Sequence, residues 1–281
     1  MEVLVVQRCG FCPGVRNAIR MAQDTLAQEK VVYSLGEVIH NKDVVDKLAK
    51  EGLRTIETVE QIESGTVLIR SHGATAEQLR KIKDKGLKIV DATCVLVKRV
   101  QKIAKKLCYD GYQVVIIGDK GHPEVQAVVG STEGVIVVGD ESDILNLPGN
   151  KKLGILCQTT QSPEHFGNMV GLIVKKGFSE MKIIDTLCKE AIKRQRDAIQ
   201  LCQQVEVMFV LGGLHSANTR KLAELCKKYN SQTFHLQNWQ ELDTILLFGK
   251  KKAGVTAGAS TPEWIIEEFV GNLRKFDTTA G

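Results

Sequence analysis

The chain has 281 residues, of which 43% are hydrophobic and 25% charged, and its formal net charge is +5. This composition excludes a disordered chain, and the length allows one large core or two to three small domains. The mild charge and an aromatic content of 5% argue against a nucleic-acid surface, and no apolar run reaches the roughly 18 to 20 residues that would span a bilayer.

The first predicted element is a strand in MEVLVVQ, and no basic region typical of a secretory signal precedes it. We therefore expect a cytoplasmic protein. The eight cysteines are then not expected to form structural disulfides, because reducing thiol pools keep such bonds open. Metal binding, catalysis or burial must account for them.

The strand runs into Cys9-Gly-Phe-Cys12, followed by a helix that begins with proline. A thioredoxin-like dithiol is built in this way, so one alternative is a thiol pair that carries electrons. The other alternative is that one of these cysteines is a metal ligand whose partners lie far along the chain.

An internal repeat favours the second alternative. Three strand-like segments end in a cysteine that opens a helix, and each following strand ends in a loop with a histidine. The pairs are Cys12 with His40, Cys94 with His122, and Cys188 with His215, at spacings of 28, 28 and 27 residues. A recurrence at this period predicts three copies of one structural unit.

Each copy also contains a strand that ends in a hydroxyl-rich tip, followed by a helix start signal. The tips are VLIRSHG with His72, LGILCQTT with Thr159, and AGVTAGAST with Ser260. Alternating strands and helices predict parallel sheets, whose functional loops lie beyond the carboxyl ends of the strands.

We therefore predict an α/β protein of three similar small domains with mostly parallel sheets, arranged as a pseudo-threefold trefoil around a central cluster cavity. The predicted domains are residues 1–84, 85–177 and 178–272, and residues 273–281 are expected to form a disordered tail.

One cysteine per repeat suggests three metal ligands at the centre, whereas structural zinc sites close with four. A 4Fe-4S cluster held by Cys12, Cys94 and Cys188 would leave one open iron, able to act on a substrate oxygen while the cluster supplies electrons. Neutral hydrogen-bond donors at the other tips suit a diphosphate; they are His40, His72, His122, Thr159, Ser216, Asn218 and Ser260. Glu124 is the one carboxylate in these tips placed to move a proton.

Eight motifs together resemble the LytB/IspH family of 4-hydroxy-3-methylbut-2-enyl diphosphate reductases, from about residue 3 to residue 270. They are GFCPGV, VIHNKDVVDKL, RSHG, VDATC, GHPEVQAVVG, QTTQS, HSANTRKL and TAGASTPEWII. The resemblance implies an iron-sulfur oxidoreductase that catalyses the last step of the non-mevalonate (MEP) pathway of isoprene biosynthesis. The reaction is a reductive dehydroxylation that yields isopentenyl and dimethylallyl diphosphates.

By motif position, the resemblance implies that Cys12, Cys94 and Cys188 bind the cluster. His40, His72, His122, Ser216, Asn218 and Ser260 would hold the diphosphate, with His122 and Thr159 also beside the catalytic Glu124. Thr159 would orient the substrate hydroxyl. Electrons would come from ferredoxin or flavodoxin, since the chain has no glycine fingerprint for NAD; neither nucleic acid nor a membrane is an expected partner.

Four positions depart from the family pattern, and two rival functions remain. Val95 replaces a proline, Glu190 and Ala191 replace a small residue and a hydroxyl, and Ala217 stands where Ser or Gly is usual. One rival is a cluster-containing paralogue that reduces or dehydrates a different small oxygenated substrate. The other is a thiol-dependent redox or zinc-scaffolding protein without an organic substrate.

Overall fold

The structure is a computed structural model that describes residues 1–149, 152–214 and 216–276. The strands are β1 (Glu2–Val5), β2 (Val32–Leu35), β3 (Leu53–Ile56), β4 (Thr66–Ile69), β5 (Lys88–Asp91), β6 (Gln113–Ile117), β7 (Ile136–Val138), β8 (Lys152–Cys157), β9 (Glu180–Ile183), β10 (Val207–Leu211), β11 (Thr233–Leu236) and β12 (Lys252–Ala257). The helices are α1 (Pro13–Gln28), α2 (Lys42–Lys50), α3 (Ala76–Asp84), α4 (Val95–Tyr109), α5 (Pro123–Val129), α6 (Glu141–Leu145), α7 (Pro163–Lys175), α8 (Lys189–Cys202), α9 (Ala217–Tyr229) and α10 (Glu263–Lys275). Short 3-10 helices cover Val59–Gln61, Trp239–Glu241 and Thr244–Leu247.

The strands form three four-stranded sheets, and every pairing within the described residues is parallel. Their orders are β3-β2-β4-β5, β7-β6-β8-β9 and β1-β12-β10-β11. The predicted α/β class with repeated parallel sheets is confirmed. None of the described helices is long and apolar enough to cross a bilayer.

The chain divides into two compact units. One unit contains Met1–Arg16, Ile39–Lys47 and the described chain from Glu190 onward, and holds the sheet β1-β12-β10-β11. The other unit contains Asn17–Val38 and Leu48–Lys189, and holds the other two sheets.

The predicted boundaries between repeats do not coincide with the boundaries between sheets. The first strand of the second repeat, β5, pairs with β4, and the first strand of the third repeat, β9, pairs with β8. Likewise β1 pairs with β12 of the third repeat. β5 and β9 join the preceding sheet because each comes after a short parallel crossover. The helix α3 follows β4 and α7 follows β8, and after each helix the chain returns to pair with that same strand. The break between sheets comes one strand later, at the helix that follows each of Cys94 and Cys188.

The predicted tail from residue 273 is wrong for its first residues. The last helix, α10, continues to Lys275 because Phe269 and Leu273 are fully buried in the core of their unit. Phe276 packs against the same core. Residues 277–281 lie outside the described part of the chain.

The central strands explain why the sheets are stable. All five residues of β10 and all four of β4 are buried, as expected for parallel strands covered on both faces. In the sheet that contains β10, the ring of Phe209 lies 5.2 Å from that of Phe269, which belongs to α10. The helix that follows the last strand is thereby fixed to the sheet.

Matched lysines show that the segments around the sheets β3-β2-β4-β5 and β7-β6-β8-β9 share structural detail. The Lys85 ammonium donates to the carbonyls of Val59, Glu60 and Ile62 at 3.2, 3.0 and 2.8 Å. The Lys176 ammonium likewise donates to the carbonyls of Ile144, Leu145 and Leu147 at 2.9, 2.7 and 2.7 Å. Each lysine stands directly after a helix, α3 or α7. Its ammonium group binds carbonyls at the end of a short helix earlier in the chain, which is the 3-10 helix Val59–Gln61 or α6.

Candidate active site

Three cysteines stand at equivalent places in the three sheets. Cys12, Cys94 and Cys188 each follow an outer strand and directly precede a helix, and each is half-buried and not part of a disulfide. The sulfur of Cys12 also accepts a hydrogen bond from the Val15 amide at 3.5 Å, within the first turn of α1. A helix N-terminus stabilises a thiolate, which is the form of cysteine that binds metals.

The backbone amide of each cysteine is tied to the tip of the neighbouring strand. Cys94 donates to the Ser71 carbonyl at 2.9 Å, Cys188 to the Thr159 carbonyl at 2.7 Å, and Cys12 to the Ala259 carbonyl at 3.1 Å. Each acceptor lies two residues beyond its strand, which is β4, β8 or β12. The predicted cysteines and the predicted tips therefore meet in all three sheets.

The turn that leads into each cysteine is held in one of two ways. Asp91 Oδ1 accepts from the Thr93 amide at 3.0 Å, and Asp185 Oδ1 accepts from the Leu187 amide at 2.9 Å. Both aspartates stand three residues before a cysteine, in VDATC and IDTLC. This shared position was a signal that the sequence analysis did not use.

A buried arginine holds the corresponding turn before Cys12. The Arg194 guanidinium donates to the carbonyls of Gly10 and Ala257, each at 2.8 Å. Gly10 has a φ of +83°, a conformation that favours glycine. Arg194 was missed because nothing in its local sequence distinguishes it from the neighbouring cationic residues of α8.

A buried carboxylate occupies the end of the second sheet. Glu124 is 2% exposed, and its two oxygens accept from the amide and the hydroxyl of Thr159 at 2.7 and 2.8 Å. The Thr159 carbonyl is the group that holds the Cys188 amide. One residue thus connects a predicted cluster ligand with the predicted proton donor.

One histidine is bonded to the backbone of Glu124, and a second histidine packs against the first. His122 Nδ1 accepts from the Glu124 amide at 3.2 Å, so in a neutral ring the proton is on Nε2. The rings of His72 and His122 meet edge to face, with centroids 5.5 Å apart. The structure therefore brings together His72, His122, Glu124 and Thr159 in one unit. Neutral imidazoles held in this way can donate hydrogen bonds to an anion without a fixed positive charge.

The other unit contains the remaining predicted binding residues. The Ser260 hydroxyl donates to the His40 carbonyl at 3.1 Å. Ser216 caps α9, accepting from the Thr219 amide, and Asn218 lies in the first turn of the same helix. Asn218 Oδ1 is buried and has no hydrogen-bond partner among the described residues. A buried polar atom of this kind normally bonds to water or a ligand. His215, which the sequence analysis left out of the site, lies outside the described residues.

Cys9 is a poor partner for a dithiol with Cys12. It packs against the core cluster of its unit. Burial raises the pKa of its thiol to about 11, although the charge of Arg194 acts in the opposite direction. The thiol therefore stays protonated near neutral pH, which disfavours both a reactive dithiol and a fourth thiolate ligand at this position.

Of the remaining four cysteines, three are buried and Cys108 is half-buried. Cys157, Cys202 and Cys226 are buried, and Cys202 and Cys226 belong to one core cluster. Cys108 lies in α4, and its thiol points to the Glu133 carbonyl at 3.6 Å. In the described parts of the chain, no three His, Cys, Asp or Glu side chains lie close enough to hold a single metal ion.

Glu190, the most marked departure from the family pattern, is partly neutralised. Its carboxylate lies 3.9 Å from the Arg8 guanidinium and 3.8 Å from the Lys193 ammonium, and the side chain is 45% exposed. Arg8 also pairs with Asp197 at 3.0 Å. Because Glu190 has cationic neighbours and access to solvent, it gives little support to a rival substrate.

Replacing Arg194 with methionine is expected to lower the free energy of unfolding by about 2 to 3 kcal/mol, because two buried carbonyls lose a charged donor. Urea unfolding of the metal-free protein measures this. Arg196, an exposed residue of the same helix, is the matched control, and Arg196→Met should change stability by less than about 0.5 kcal/mol. Equal losses for the two variants would contradict the role given to Arg194.

Comparison with known proteins shows to which family the chain belongs. A family model described as LytB protein matches residues 3–274. The 4-hydroxy-3-methylbut-2-enyl diphosphate reductase of Geobacter sulfurreducens is 42% identical over 99% of this chain and 98% of its own length. That of Pelobacter propionicus is 42% identical over 97% of this chain and 98% of its own.

Two solved structures are also similar. One, described as (E)-4-hydroxy-3-methyl-but-2-enyl diphosphate reductase, the terminal enzyme of the non-mevalonate pathway, is 37% identical with a TM-score of 0.73, covering 98% of this chain and 100% of that one. The other, the E-1-hydroxy-2-methyl-but-2-enyl-4-diphosphate reductase from Plasmodium falciparum, is 28% identical with a TM-score of 0.93, covering 99% of this chain and 89% of that one. With a family model that spans nearly the whole sequence and relatives of such identity, the chain belongs to the LytB protein family.

Proposed function

We propose that this protein is a 4-hydroxy-3-methylbut-2-enyl diphosphate reductase that acts in the cytoplasm. The reaction removes the allylic hydroxyl with two electrons and two protons, and gives water with isopentenyl diphosphate or dimethylallyl diphosphate. Relatives with this name align over nearly their full length. The observation that carries the proposal is the buried Glu124–Thr159 pair, hydrogen-bonded to the turn that presents Cys188.

Cys12, Cys94 and Cys188 would hold one 4Fe-4S cluster with an open iron. The chemistry of the donor set supports this: each cysteine is half-buried, stands at the start of a helix and is not part of a disulfide. A cluster places its cysteines on different iron atoms, so it does not need ligands as close together as a single metal ion does. When bound, it would supply electrons and a Lewis-acid iron for the substrate oxygen.

The diphosphate would be held by neutral donors. Its proposed ligands are His40, His72, His122, Ser216, Asn218 and Ser260. The edge-to-face packing of His72 and His122 and the hydrogen bond at His122 Nδ1 support the orientation of these rings. The first turn of α9, with Ser216 and Asn218, adds backbone amides and a helix N-terminus that favour an anion.

Glu124 would supply a proton to the leaving oxygen, and Thr159 would orient the substrate hydroxyl. In the structure the Thr159 hydroxyl donates to the Glu124 carboxylate. When the carboxyl group is protonated, this hydrogen bond can reverse, and the threonine hydroxyl is then free to donate to the substrate oxygen. The pair can thus move a proton while the site excludes bulk water, because both residues are buried.

The activity is tested with reconstituted protein under anaerobic conditions, with dithionite-reduced methyl viologen as electron source and the hydroxylated diphosphate as substrate. The proposal predicts both five-carbon diphosphates as products. Absence of turnover in protein that carries its full content of iron and sulfide would reject it.

Changing Cys94 to serine should lower iron content and activity together, because a serine hydroxyl stays protonated and replaces a thiolate ligand poorly. Iron per chain is measured after anaerobic reconstitution. The control is the same change at Cys108, which should leave iron content near the wild-type value. Full iron loading in the Cys94 variant would remove this cysteine from the ligand set.

Changing Glu124 to glutamine should reduce turnover about 10²- to 10⁴-fold while iron content stays unchanged, because a positioned proton donor is lost. Turnover is measured with methyl viologen, so that donor binding is not involved. The control is Glu133→Gln at an exposed turn, for which near-normal turnover is expected. Near-normal turnover in the Glu124 variant would exclude this carboxylate from proton delivery.

A further inference from the structure

A basic groove runs along the outer side of α4. Its cationic lining residues are Lys98, Arg99, Lys102 and Lys106 from α4 and Lys182 from β9. The groove has a volume of about 620 Å³, and Asp110 is the one carboxylate that lines it. The groove and both elements belong to the same unit.

Neighbouring carboxylates compensate only part of the charge of this groove. Lys98 pairs with Asp91 at 2.7 Å, and Lys106 pairs with Asp110 at 3.0 Å. No ion pair within 4.0 Å involves Arg99 or Lys102 among the described residues, and both side chains are exposed. Three carboxylates, those of Asp91, Asp110 and Glu180, thus face five cations, and Glu180 is shared with Lys152 at 2.8 Å. The remaining excess of positive charge attracts an acidic surface.

The groove also has apolar contact surface. Val95 is 76% exposed at the first position of α4, and Ile183, beside the lining residues Lys182 and Ile184, is 46% exposed. A polar rim around apolar contacts is typical of protein interfaces. None of the lining residues is aromatic, so the groove lacks the stacking platforms that single-stranded nucleic acid requires.

The groove lies against two of the proposed cluster-ligand segments. Val95, at one end, follows Cys94 directly, and Ile184 stands four residues before Cys188. From this end α4 extends about 22 Å, at 1.5 Å per residue. A small protein seated along the helix would therefore contact the chain immediately beside Cys94.

We propose that the α4–β9 groove, lined by the residues above, docks a small acidic one-electron carrier protein. This role rests on the proposed function, which needs two electrons delivered one at a time. The positive charge attracts and orients the carrier, and Val95 provides an apolar contact beside the electron-accepting site. The carrier chemistry fits a flavodoxin or a ferredoxin, and an acidic flavodoxin is the probe used in the test.

The test is the double charge reversal Arg99→Glu with Lys102→Glu. Binding of oxidised flavodoxin to the cluster-loaded protein is measured by calorimetry at low ionic strength, and turnover is measured with reduced flavodoxin and with methyl viologen. We expect the Kd of flavodoxin and the KM for flavodoxin to rise at least tenfold. Turnover with methyl viologen should stay unchanged. The matched control, Lys227→Glu with Lys228→Glu at the exposed end of α9, should leave all three values near wild type.

The outcomes separate the two proposals. Unchanged flavodoxin binding in the Arg99 and Lys102 variant overturns the docking site, as does an equal loss in the control variant. If the Arg99 and Lys102 variant changes only the oligomeric state, the groove binds a second copy of the chain. If it changes only the binding of a DNA oligonucleotide, the groove binds nucleic acid. Either result also overturns the docking proposal. If the wild type does not turn over with methyl viologen, the proposed function fails, while the flavodoxin titration still decides the docking site.

Discussion

In each of the three sheets, the amide of one cysteine donates a hydrogen bond to the carbonyl group two residues beyond the neighbouring strand. The pairs are Cys12 with Ala259, Cys94 with Ser71, and Cys188 with Thr159. This contact is possible because parallel strands end at the same edge of a sheet. It sets each thiol at the start of a helix and beside a hydroxyl-rich tip, so the arrangement of the site depends on it.

The second sheet shows how one contact can serve two functions. The Thr159 carbonyl holds the turn of Cys188, while the Thr159 amide and hydroxyl hold both oxygens of Glu124. A displacement of this tip would therefore move a proposed cluster ligand and the proposed proton donor together. The first turn is held differently, by Arg194 and Gly10, because no aspartate stands three residues before Cys12.

Much of this architecture was predictable from the sequence because the repeat places the same residue types at the same strand ends. The positions of the cysteines and of the tips follow from the repeat, and the parallel sheets follow from the alternation of strands and helices. The assignment of β5 to the sheet of β4 does not, because a strand pattern identifies a strand and not its hydrogen-bond partner. The role of Arg194 could not be predicted from the sequence either, because its two acceptors, Gly10 and Ala257, are 184 and 63 residues away along the chain. The basic residues of α4 are neighbours in the sequence, but only the fold places Lys182 beside them.

The proposed chemistry depends on an inorganic cluster held by three thiolates and no fourth cysteine. The measurement that tests this most directly is the iron and acid-labile sulfide content of anaerobically purified protein, together with its absorption spectrum. The account predicts about four irons and four sulfides per chain, with the broad visible absorption of an iron-sulfur cluster. Stoichiometric zinc without iron or sulfide would contradict it.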